Sequence, residues 1–155
     1  MEEGLNYCVL RPETLPTVFE KAKPFLPDMM RDFNVFNSLH WAKNSMFFEV
    51  GINGGAFWLS GIHVGHKATI HVVLWDKDVR KECLDDTAFP RRVIRELFRL
   101  LSLRRLDAYI PASKEKSCRW AERLGFTLEG VLRKHSLYDG EPIDIAAYAL
   151  VKEEL

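Results

Sequence analysis

Five histidines carry the chemistry nearest neutral pH in this chain, and His71 stands apart from the others by position. It lies in the middle of the β-rich run Ala68 to Trp75, where alternation sets it on one face with Thr69, Val73 and Trp75. An imidazole changes charge around neutrality, so a histidine held on a strand is suited to take a proton or to return one. The competing reading is a core or edge histidine satisfied by its neighbours. Glu49 and Asp76 are alternative bases, but no spacing singles them out. His40, His63, His66 and His135 show no ligand spacing. Cys8, Cys83 and Cys118 lack the paired spacing of a zinc site or a redox dithiol, so no metal is expected and the thiols read as small hydrophobes in a reducing compartment.

A second chemically rich stretch is VRKECLDDTAFPRR, from Val79 to Arg92. Arg80, Arg91 and Arg92 are suited to phosphate. Asp85, Asp86 and Thr87 stand where a helix begins and read equally as its caps. The densest basic stretch, Arg91 to Arg105, is laced with Leu, Ile and Phe at helical spacing, and 22 basic residues balance 22 acidic ones. No nucleic-acid partner is expected on that footing. At 155 residues, 47% hydrophobic and 28% charged, the chain fits a single globular domain with one core. Its start, MEEGLNYCVL, is acidic without an apolar core, and nowhere do about 18 uncharged apolar residues run together. A cytoplasmic protein without membrane attachment is the expectation.

These residues need elements to position them. Leu5 to Leu10 reads as a strand. Leu15, Val18, Phe19 and Ala22 then recur at a helical period that Pro24 and Pro27 stop. Asp28 to Lys43 permits a second, less regular helix. Met46 to Ile52, Ala56 to Val64 and Ala68 to Trp75 are β-rich runs, the first two joined by Asn53-Gly54-Gly55 as a tight hairpin. Val93, Ile94, Leu97, Phe98, Leu100 and Leu101 form one apolar stripe on a helix from about Thr87 to Leu103. Leu106 to Ile110 is a strand broken by Pro111. A helix then runs from Ser113 to Leu124 with Gly125 as its terminator. Leu128 to Tyr138 and Pro142 to Val151 flank the hairpin signal Asp139-Gly140. The order β-α-α-β-β-β-α-β-α-β-β predicts a mixed, mostly antiparallel seven-stranded α/β sheet with helices on both faces. Its fourth and fifth strands are parallel, because a helix crosses between them.

The element order and the C-terminal text SxxxAERLGFTLEGVLRK, Ser117 to Lys134, followed by DGEPIDIAAYAL, resemble the GNAT (GCN5-related N-acetyltransferase) superfamily. The nearest branch by this text is the one that acetylates ribosomal-protein N-termini. A helix ending in Leu-Gly-Phe leads there to a strand beginning Glu-Gly with an arginine three residues on, as Glu129, Gly130 and Arg133 do here. A looser likeness is to GNAT-like proteins of tailed phages.

The resemblance implies an acyltransferase that moves an acetyl group from acetyl-CoA to a primary amine by direct transfer, with a small molecule or a protein as acceptor. It implies a splayed pair at strands 4 and 5, opened by a bulge, with the cofactor arm bonded near Leu74, Trp75 and Asp76. Phosphate would fall to Arg80, Thr87 and Lys114, His71 would be the base, and Ser117 would be the partner of the thiolate. Glu129 matches a structural position. The family's Gly-rich phosphate loop is absent, with Cys83 in place of its first glycine and Asp85 and Asp86 set to repel a diphosphate. The alternative is a binding or structural module, virion-associated or host-interacting, that kept the fold without CoA. A homodimer is compatible with either reading.

Overall fold

The structure, a computed structural model, describes residues 4–41 and 44–155. The first three residues and the 42–43 end of the expected second helix lie outside the described residues.

Seven strands form one sheet in the order β1-β2-β3-β4-β5-β7-β6. The strands are β1 (Tyr7–Val9), β2 (Met46–Val50), β3 (Gly55–His63), β4 (Lys67–Val73), β5 (Arg105–Pro111), β6 (Thr127–Tyr138) and β7 (Glu141–Val151). Every neighbouring pair is antiparallel except β4 and β5. The helices are α1 (Leu15–Ala22), α2 (Phe33–Trp41), α3 (Lys77–Asp85), α4 (Ala88–Leu100) and α5 (Glu115–Arg123). Among the described residues no helix is long and apolar enough to cross a membrane.

Alternation along β2 and β3 divides the apolar residues between the two faces. Phe48, Val50, Phe57 and Leu59 pack with Val93, Ile94, Leu97 and Phe98 of α4 and with Ala121 of α5. On the opposite face, Phe47, Ala56 and Trp58 pack with Leu15, Val18, Phe19 and Ala22 of α1 and Phe36 of α2. The period-2 pattern of the strands and the period-3.6 pattern of the helices meet in two cores, one on each side of the sheet.

Local chemistry ends the elements where it should. At the end of α5, Gly125 takes φ +102°, its N–H bonds Glu122 O, and the Phe126 N–H bonds Ala121 O, the paired bonds of a Schellman ending. Asp139 and Gly140 both have positive φ and join Tyr138 to its partner Glu141 by a two-residue turn.

Several expectations need correction. The β2–β3 link is four residues, Gly51 to Gly54, rather than a minimal Asn-Gly turn. The chain must pass close to the β4–α3 connection there, and a Cβ on Gly55 would stand 2.7 Å from Val73 O and from the Leu74 side chain. The second helix begins at Phe33, because Asp28–Met30 forms a separate 3-10 turn. Pro111 does not break β5 but is its last residue, opposite Ile145. The bulge lies in β3, where Gly61 and Ile62 oppose Ala68, and not in β4. The largest departure is α3, which occupies the stretch read as a phosphate loop.

Candidate active site

β4 and β5 share three register pairs, Lys67↔Arg105, Ala68↔Leu106 and Thr69↔Asp107, and then part. From Ile70 onward β4 pairs only with β3, and from Ala108 onward β5 pairs only with β7. Beyond the fork each strand stays with its antiparallel neighbour, so a wedge opens between them and the inner edge of β4 has no ladder partner.

The closed end of the wedge is held by ion pairs. Asp107, only 5% exposed, accepts from Arg105 Nε at 2.6 Å, and Arg105 forks onto both Glu129 oxygens at 3.0 and 2.5 Å. These carboxylates hold the guanidinium pKa above its usual value, led by the bond to Glu129, and Arg105 in turn holds Glu129 below the usual carboxylate range. Glu129 is thus a strut of the fork.

A cavity of about 790 Å³ fills the wedge. It reaches Phe25 and Met30 on the α1–α2 side and Arg80, Ser117 and Trp120 on the other, so it runs through the gap in the sheet. Such a volume lies in the range of small-ligand sites. Its charged lining is Arg80, Lys114 and Lys116, joined by His71 and His135. No Asp or Glu lines it among the described residues.

His71 is half-buried in the cavity wall. Its Nε2 is 2.9 Å from Ser60 Oγ, and its ring stacks on Trp58 at 5.1 Å between centroids with 12° between planes. Burial pushes its pKa down to about 4, which leaves the imidazole neutral through the physiological range. Trp58 itself is 1% exposed, and its Nε1–H has no partner among the described residues.

Ser117 sits in the first turn of α5 and lines the cavity. Lys114, at the N-cap position of α5, places Nζ 5.8 Å from the centre of the Tyr138 ring, and burial raises the Tyr138 phenol above its usual pKa. The structure therefore brings His71, Ser117, Leu74, Arg80 and Lys114 to one cavity.

Trp75, Asp76 and Thr87 are not brought to it, for a reason that lies in α3. Asp76 caps this helix, its carboxylate accepting from Asp78 N at 2.9 Å and Val79 N at 3.0 Å, while its own N–H bonds Gly54 O. Trp75 Nε1 donates to Asn53 O at 2.7 Å. The last carbonyls of α3 are taken by α5: Trp120 Nε1 donates to Cys83 O at 2.9 Å and Arg123 Nη1 to Leu84 O at 2.6 Å. Lys81 holds Asp85 at 2.6 Å, and Asp86 accepts the Ala88 N–H at 2.9 Å, so Asp86 rather than Thr87 supplies the side-chain cap of α4. Neither aspartate lines the cavity. Cys83 is buried, and desolvation pushes its thiol up to about 11, which keeps it protonated at neutral pH.

Sequence reasoning missed the β6 contribution. Arg133, Lys134 and His135 together oppose Asp144, with Lys134 at φ +52° and its N–H on Asp144 Oδ1 at 2.8 Å. His135 within this irregularity and Ser136 and Tyr138 beyond it all reach the cavity. Lys134 followed by another polar pair in a strand was the available signal, but a bulge has no dependable sequence signature. Equally unforeseen is a clasp at the rim. Asp28 accepts the Asp139 and Gly140 N–H groups at 2.7 Å each, and Arg31 pairs with the Asp139 carboxylate, so the β6–β7 turn is tied to the α1–α2 connection. These bonds, that from Gly140 foremost, hold the Asp28 carboxyl below its usual range.

Among solved structures, a spermidine N-acetyltransferase from Vibrio cholerae in complex with CoA and spermine superposes with a TM-score of 0.78 at 16% identity, covering 97% of this chain and 96% of that one. A probable acetyltransferase superposes at 0.76 and 23% identity over 99% and 96% of the two chains. A dodecameric spermidine N-acetyltransferase from the same Vibrio gives 0.73 at 16% over 96% and 94%. No family model and no curated protein matches the chain. At these identities the likeness is one of fold alone, and the fold is the GNAT fold.

Proposed function

We propose that this chain is an N-acetyltransferase that moves an acetyl group from acetyl-CoA directly to a primary amine in the wedge between β4 and β5. The observation that carries this reading is the three-pair ladder that ends at Thr69, with a cavity behind it lined by cations and by no carboxylate among the described residues.

The residues present fit the cofactor. The unpartnered edge of β4 from Ile70 to Val73, continued by Leu74, offers main-chain groups to a pantetheine arm, as a strand edge offers them to any extended amide chain. Arg80, Lys114 and Lys116 offer side-chain cations to phosphates, in place of the main-chain loop that α3 has replaced. Acetyl-CoA, when bound, supplies the activated acyl carbon.

His71 is the base. With Nε2–H donating to Ser60 Oγ, Nδ1 carries the lone pair, and burial keeps that site unprotonated and available at neutral pH. The stacked Trp58 fixes the ring plane. Ser117 places a hydroxyl at the α5 wall as a hydrogen-bond donor to the departing sulfur, and the proton that His71 takes from the amine balances the one the released thiol regains from solvent. The acceptor enters beside the clasp that ties the α1–α2 connection to the β6–β7 turn.

Calorimetry and thermal unfolding with acetyl-CoA test the assignment. At a hundredfold excess over Kd the cofactor stabilises by about 2.7 kcal/mol, which raises Tm by several degrees. His71→Ala then lowers kcat by about a hundredfold or more with little change in cofactor affinity. No heat and no Tm shift at millimolar acetyl-CoA would overturn the proposal.

A further inference from the structure

Resting on the transferase reading, we infer that the acceptor is a small monoamine with an apolar body, of the arylalkylamine kind, and not a polyamine. Three features of the cavity converge on this class. No Asp or Glu lines it among the described residues, whereas Arg80, Lys114 and Lys116 do. A polyamine brings several ammonium groups, and each one buried without a carboxylate is strongly disfavoured. The side facing α1 and α2 is apolar instead, lined by Phe25, Leu26, Pro27 and Met30 beside Trp58 and His71. An apolar lining of this kind suits a ring or a short alkyl chain.

The third feature is the fate of the nearest acid. Asp28 lies within the same short segment as Pro27 and Met30, yet both of its oxygens are taken by the N–H groups of Asp139 and Gly140. Its partner Asp139 is in turn held by Arg31. Asp28 and Asp139 are therefore engaged with the β6–β7 turn and with Arg31, and neither lines the cavity. By tying the β6–β7 turn to the α1–α2 connection, the clasp also bridges the rim, which favours a small molecule over a chain that must lie in an open groove.

The test compares phenethylamine, spermidine and a peptide with an apolar N-terminal residue, each titrated by calorimetry into the full-length protein, without cofactor and with saturating CoA. The expected result is phenethylamine binding at least tenfold tighter than either competitor, and a kcat/KM advantage of at least tenfold in the acetylation assay. Phe25→Glu is the informative variant, because Phe25 is 38% exposed and tolerates a charge. It should shift the preference toward spermidine by about tenfold or more. Spermidine or peptide binding as tightly as phenethylamine, or a preference unmoved by Phe25→Glu, would overturn the inference. The two readings fail separately: absent acetyl-CoA binding removes the transferase assignment, while the amine titrations without cofactor still report which ligand class the cavity takes.

Discussion

At the scale of single residues, His71 couples chemistry to stability. Its imidazole is desolvated by its position between Trp58 and the cavity and bonded to Ser60. An unfolded histidine takes a proton near pH 6.5, but the folded one resists until about pH 4. Between these values the unfolded chain binds more protons, so stability falls as pH drops through the window and is regained as pH rises. The expected loss is at most about 3 kcal/mol across that interval. His40 is shifted in the same direction by burial, so the comparison has to be made against a variant. His71→Gln should flatten the dependence measured by urea unfolding at successive pH values from 7 to 4. An identical slope in the variant would show that His71 titrates normally in the folded protein. From the sequence, His71 was legible as a histidine central to its strand. Its partner Ser60 was not, because Ser60 belongs to β3 and meets it only through the register Ser60↔Thr69 and Trp58↔His71.

At the scale of elements, α3 decides how phosphate can be met. The signal for it was present: Asp76 is a good N-cap, and Val79 and Cys83 recur four residues apart over the following turns. Matching the stretch to a loop motif hid that local pattern. Once α3 forms, its last three carbonyls, those of Cys83, Leu84 and Asp85, become acceptors for Trp120 and Arg123, and α5 is locked to it. Asp76→Ala removes two charge-assisted bonds to the first turn and should cost about 1 kcal/mol in equilibrium unfolding. Faster amide exchange should be confined to Asp78 and Val79 and the rest of that helix. A variant as stable as the parent would mean that docking against α5 alone holds α3. The Schellman ending at Gly125 and the Asp139-Gly140 turn were, by contrast, fully readable, because both depend on residues adjacent in sequence.

At the scale of the whole molecule, one sheet runs through all seven strands and carries a core on each face. β2, β3 and β4 contribute side chains to both cores, so neither core opens without the other, and the chain should unfold in a single transition with a heat-capacity change of about 2 kcal/mol/K for 155 residues. Two resolved transitions in differential scanning calorimetry would instead divide the β5–β7–β6 half from the rest. The amino-acid sequence by itself determined the seven strands in their order along the chain, the helices other than α3, and the mixed sheet with one parallel crossing, because periodicity, turn residues and caps act over a few neighbours. The tertiary structure alone decided where the ladder between β4 and β5 stops, which side chains enter the gap, and that the acids beside it are consumed by caps and the clasp. Those outcomes depend on strands and turns separated by up to 112 positions in the chain, as Asp28 and Gly140 are, and no local pattern records which of them will meet.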